Sequence, residues 1–185
     1  MRDLGSVPPF VLGVDPGAAT GLAGYDPASD ELVFVGSTDP LDALRYIGRW
    51  ARARTAGGQP FLLGAYVEDA RELPIFDRNR SADRGERDRI ARSVGRIDLL
   101  TDLYLGLLRS LGVPTASVEP PRAKKWNAHR LRVETGYDRQ TNEHGRDAAR
   151  VVWQRGVPDL APSGPSQEAR PSSVGSRRPN RHQPA

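Results

Sequence analysis

An α/β fold built on a mixed sheet is predicted by three observations. Three short β-type runs follow one another at the N-terminal end, and after them helical and strand patterns alternate: helix, strand, long helix, strand, helix. Two of the apolar strand runs end abruptly in acid, at Val14-Asp15 and at Val67-Glu68-Asp69. A third acid, Asp147, follows His144 by three residues in the last helical pattern, which puts imidazole and carboxylate on one helix face.

The elements are justified in chain order. Phe10–Val14 and Gly21–Tyr25 read as a hairpin joined through the Pro16–Thr20 turn, and Leu32–Val35 as a third short strand. Asp39-Pro40 supplies an N-cap and a first-turn proline, opening a helix with Leu41, Leu44, Ile47 and Ala51 on one side. After Gly57-Gly58, Phe61–Val67 is a buried strand. A polar stretch from Arg71 to Arg89 precedes a long helix in which Ile90, Val94, Ile97, Leu100, Tyr104, Leu107 and Leu111 recur at spacings of three and four. Gly112 ends that run. Val113–Val118 is the fifth strand, and Thr141 is placed to cap a final helix from Glu143 to about Gln154.

Composition bounds the function. A chain of 185 residues holds one domain of useful core size, expected here over residues 10–157. Residues 1–9 are expected to be a flexible N-terminus. Residues 158–185, rich in Pro, Ser, Gly and Arg, are expected to be a disordered tail, because they bury too little apolar surface to offset their ordering entropy. The absence of cysteine excludes disulfides and thiolate zinc sites. No apolar run approaches the ~20 residues of a membrane span and no signal pattern opens the chain, so a cytoplasmic, nucleoid-associated protein without membrane contact is expected. Lys124 and Lys125 are the only lysines among 27 basic residues. Arginine suits phosphates and bases, although a GC-rich genome produces the same bias.

The acids and the histidine carry the chemistry. Asp15 is either a turn residue before Pro16-Gly17 or a ligand at the exit of an apolar strand, where α/β sheets bind their ligands. Strand alternation admits one of Glu68 and Asp69 to such a site, and spacing leaves the choice open. His144 and Asp147 taken singly are ordinary helix residues. Together, beside Ala148 and Ala149, they complete a donor set suited to a hard divalent cation, as in a nuclease.

These residues resemble the RuvC-like branch of the RNase H-like nucleases, the Holliday junction resolvases. Asp15-Pro16-Gly17 with Thr20-Gly21, Glu68, His144 with Asp147-Ala148, and Pro120-Pro121-Arg122-Ala123-Lys124-Lys125 followed by Thr135-Gly136 match that pattern in order, over residues 10–156. The segment from Gly136 to His144 is shorter than in the classical bacterial enzymes, and residues 71–89 look longer and more charged than the matching loop.

The resemblance implies an RNase H-like mixed five-stranded sheet flanked by helices and the activity of a crossover junction endodeoxyribonuclease serving DNA recombination and repair. It implies two Mg²⁺ ions held by Asp15, Glu68, His144 and Asp147, with Mn²⁺ tolerated, and hydrolysis that leaves a 5′-phosphate. Lys125 would neutralise a phosphate near the cut; a solvated surface lysine is the other reading. DNA contacts are expected from Phe76, Arg78, Arg80, Arg84, Lys124 and Lys125, with Phe76 a wedge at the branch point or a pin holding its loop to the core. The long helix is more apolar than one sheet face can bury, which together with the need for two symmetric cuts suggests a homodimer. A branch-migration motor is a possible partner that the residues do not reveal. The alternatives are a related nuclease acting on other branched DNA or on RNA/DNA hybrid, a non-catalytic nucleic-acid binder, and an actin or sugar-kinase-like ATP-binding domain.

Overall fold

The computed structural model describes residues 8–72, 84–120 and 125–159, with residues 72 and 84–91 as backbone only. The strands are β1 (Phe10–Asp15), β2 (Thr20–Asp26), β3 (Glu31–Thr38), β4 (Leu62–Glu68) and β5 (Thr115–Val118). The helices are α1 (Pro40–Arg52), α2 (Arg84–Ser110), α3 (Ala128–Thr135) and α4 (Glu143–Val152). The five strands form one sheet in the order β3-β2-β1-β4-β5. β1, β2 and β3 pair antiparallel, while β1 with β4 and β4 with β5 pair parallel. The expected mixed sheet flanked by helices is therefore present.

Two apolar layers sandwich the sheet. Phe10, Leu12, Val14 and Val67 face α1 and α2, where they meet Ile47, Trp50, Tyr104 and Leu108. Val11, Ala23 and Val35 face the other way, toward α4 and Leu131 of α3. A central strand covered on both faces must be apolar at every position, which is why β1 and β2 lack the alternation of a half-exposed strand. One buried polar pin ties the layers together: the Tyr104 hydroxyl lies 2.7 Å from Thr20 Oγ1 and donates to the Pro40 carbonyl.

Helix α1 begins as expected, with Asp39 accepting from the Leu41 N–H at 2.8 Å and Pro40 in the first turn. Its buried face differs from the expected one. Leu41 is 55% exposed, and Trp50 fills the core by packing edge-on to Phe10. The cap of α4 is Asn142, whose side chain accepts from the Gly145 N–H, and the helix stops at Val152. Thr141 is used otherwise: its carbonyl accepts from Arg146. Helix α3 has no counterpart in the sequence reading, since it buries only Leu131 and shows no apolar stripe. Beyond α4 the chain packs over β4, with Pro158 against Gly64 and the Tyr66 hydroxyl donating to the Gly156 carbonyl at 3.1 Å. No helix among the described residues is long and apolar enough to cross a membrane.

Candidate active site

Sheet geometry brings the acids to one place. Val14 pairs with Val67 in the parallel β1–β4 ladder, so Asp15 and Glu68 leave neighbouring strands at the same end. Alternation along β4 turns Val67 toward α1 and α2, and Glu68 toward α4. Asp69 faces the opposite way. It accepts a two-pronged hydrogen-bonded ion pair from Arg71, which also reaches Asp102 of α2 at 2.8 Å. The ambiguity between the two neighbours is thus resolved in position: Glu68 lies on the face shared with Asp15 and Asp147, and Asp69 anchors the strand end to α2.

Helix α4 lies unusually close to that face because glycines lie beneath it. A Cβ on Gly21 would fall 2.0 Å from the His144 carbonyl oxygen, and one on Gly13 would fall 2.2 Å from that of Ala148. Gly145 likewise rests on the backbone of Gly36. The close approach brings His144 Nδ1 to 3.3 Å from Asp15 Oδ2. It also carries Asp147, 8% exposed, into the group. Lys125 closes the open side, its Nζ 2.6 Å from Glu143 and 3.1 Å from Asp147. Arg150, one helical turn beyond Asp147, places Nη1 3.4 Å from the other carboxylate oxygen, with its side chain only 7% exposed.

The electrostatics follow from this crowding. Burial is the main reason that the Asp15 carboxyl is raised to about 6; the His144 bond works against it and the charge of Asp147 with it. Burial likewise raises Glu68 to about 7, helped by the charges of Asp15 and Asp147 and opposed by Arg150 and Lys125. Hydrogen bonds to Glu143 and Asp147 push the Lys125 ammonium up to about 12, and the same lysine lowers Glu143.

Among the described residues no set of three or more His, Asp and Glu side chains has closed to metal-ligand geometry. Cationic side chains instead occupy both oxygens of Asp147. The chemistry of the donor set still fits a hard divalent cation. Three carboxylates and an imidazole meet at one end of the sheet, and burial, with the charge of neighbouring acids, raises two of the carboxyls.

Asp15, Glu68, His144, Asp147 and Lys125 are all brought to this end of the sheet. Phe76, Arg78, Arg80 and Lys124 lie outside the described residues, as does the side chain of Arg84. Sequence reasoning missed Arg150, although its spacing of three from Asp147 on a helix was a usable signal.

The strand order β3-β2-β1-β4-β5 with helices on both faces is the mixed α/β sheet that the sequence predicts. No family model and no curated protein sequence matches the chain. Two solved structures are similar to it in fold. One is RuvC of T. thermophilus in complex with a Holliday junction substrate, with a TM-score of 0.45 and 18% identity over 78% of this chain and 90% of that one. The other is a Thermus thermophilus RuvC structure, with a TM-score of 0.40 and 16% identity over 77% of this chain and 90% of that one.

Proposed function

We propose that this chain is a structure-selective DNA endonuclease that nicks four-way junctions symmetrically, with Asp15, Glu68, His144 and Asp147 holding divalent magnesium. The observation that carries the reading is the meeting of three carboxylates from β1, β4 and α4, two of them raised well above the usual carboxylate range. The ordered resemblance of the sequence motifs supports the same reaction. A bound divalent ion there supplies the charge that polarises a phosphate and acidifies a water.

The protein side chains have separable tasks. Asp15 and Glu68 project from rigid strand ends, so their carboxylates are positioned before any ligand arrives. His144, against Asp15, offers a nitrogen donor that widens tolerance toward Mn²⁺. Lys125 is more than half exposed and reaches out from Asp147, where its ammonium can meet a backbone phosphate. Arg150 holds Asp147 from the buried side. A homodimer formed through α2 would present two such sites to the two strands of a junction. Leu99 and Leu103, at 59% and 45% exposure, supply an apolar surface for it.

The deciding experiment is cleavage of a synthetic four-way junction with and without Mg²⁺, with linear duplex and RNA/DNA hybrid of the same sequence as controls. Paired nicks in the junction alone, lost in Asp15→Asn and Asp147→Asn while junction binding persists, are expected. Equal cutting of linear duplex overturns the structural selectivity. Preferential cutting of the hybrid moves the chain to another nuclease activity.

A further inference from the structure

A cavity of about 470 Å³ opens where the edge strand β3 passes between α1 and the 137–140 segment. Its walls are aromatic. The Trp50 ring has its centroid 5.2 Å from that of Phe34 and stacks on Tyr46, and Tyr137 closes the far side. Its rim is polar, with Ser37, Thr38 and Gln140, and among the described residues that line it the one cationic side chain is Arg139, whose guanidinium lies 5.8 Å from the Tyr137 ring centroid.

The position of this cavity is informative. β3 ends the sheet, and the Val35 N–H donates outward to the Tyr137 hydroxyl. By the alternation of antiparallel pairing, the N–H and C=O of Ser37, two residues on, face outward at the cavity rim as well. Ser37 also pairs with Gly21, which pairs with Asp15. The rim therefore stands two strand spacings, about 10 Å, from the first carboxylate of the candidate site. A nucleotide or two of strand covers that distance. Asn142 Nδ2 donates to Ser37 Oγ at 2.5 Å, tying the rim to the cap of the helix that carries His144 and Asp147.

We infer that this cavity receives one unstacked nucleobase of the strand being cut, held between aromatic rings, with its polar edge on Ser37, Thr38 and Gln140 and a flanking phosphate on Arg139. Aromatic walls bind any base face, an exposed strand edge offers both donors and acceptors, and the lone cation matches the charge of the nucleic-acid backbone. This role rests on the endonuclease reading. It adds a site that selects for strands already unpaired near the cut, because a base in a duplex stack cannot enter.

The test has two arms. In the first, an abasic site replaces in turn each nucleotide within two of the mapped cut in a four-way junction. Cleavage slowed about tenfold at one of those positions is expected, with the difference between intact and abasic substrate abolished in Tyr46→Ala. The second arm needs no cleavage. A short single strand carrying 2-aminopurine is titrated with metal-free protein, and saturable quenching is expected, with half-saturation raised about tenfold in Arg139→Ala, an exposed position. Junctions cut at one rate whether intact or abasic, with quenching unchanged by Arg139→Ala, overturn the inference. Quenching that depends on Arg139, with no junction cut under any condition, keeps the nucleobase site and removes the endonuclease reading instead.

Discussion

Burial raises the Asp15 and Glu68 carboxyls, and this gives the metal-free protein a defined pH dependence. Their ordinary values of 3.8 and 4.5 rise on folding to about 6 and about 7. The folded protein therefore keeps protons that the unfolded chain has already released. The stability linked to them is complete below about pH 4 and is lost as pH rises through 6 and 7. For Asp15 the loss is on the order of 2–3 kcal/mol. Without divalent ion, the melting temperature should be higher at pH 5 than at pH 8, Asp15→Asn should flatten the difference, and Mg²⁺ should raise the pH 8 value. Melting that is independent of pH from 5 to 8 would refute this account. Arg150 makes a second residue-scale prediction. Removing a buried cation beside buried acids costs ~3–5 kcal/mol. Arg150→Met should therefore destabilise strongly at pH 8, and Asp147→Asn should recover part of the loss. Additive effects in that double-mutant cycle would mean that the pair is uncoupled. Asp15 and Asp147 were legible as strand-end and helix-face acids. The part played by Arg150 was not, because an arginine on a helix is ordinarily solvated.

At the scale of elements, the distance between α4 and the sheet is the controlling quantity. Gly21→Ala would drive a methyl group into the His144 carbonyl, so α4 must move outward and carry His144 and Asp147 with it. Overpacking of this kind costs about 1–3 kcal/mol. Cleavage should fall by more than the lost folded fraction, as measured on samples held well below their melting temperature. Gly95→Ala is the control. Nothing lies within 4 Å of a Cβ there, and alanine in an exposed helix interior should stabilise α2 by ~0.5–1 kcal/mol. If Gly21→Ala cuts like wild type, α4 does not set the site geometry. Strands and long helices were readable because they repeat a period over many residues. Helix α3, eight residues long with one buried side chain, has no period to read. The cap of α4 is Asn142 and not the expected Thr141, a shift of one residue that only the path of the entering chain decides.

For the whole molecule, the open question is assembly. Leu99 and Leu103 leave an apolar stretch of α2 uncovered beside a groove lined by Leu44, Gly106 and Leu107. Leu99→Glu combined with Leu103→Glu should leave the fold intact, since both positions face solvent. It should convert a dimer mass into a monomer mass by light scattering, and turn paired junction cuts into single nicks. A wild-type monomer at micromolar concentration that still makes paired cuts would dismiss the dimer.

A mixed α/β sheet was legible in the succession of β, α and β patterns, while the order of its strands came from the folded chain. The carboxylates Asp15 and Asp147 were likewise visible one residue at a time. Which of Glu68 and Asp69 joins them, which cations neutralise them, and how near α4 comes to β1 and β2 were decided only by the folded chain. The physical reason is range. Periodicity and capping act over a few residues, whereas burial and charge depend on what packs against a residue from more than a hundred positions away, as His144 does against Asp15.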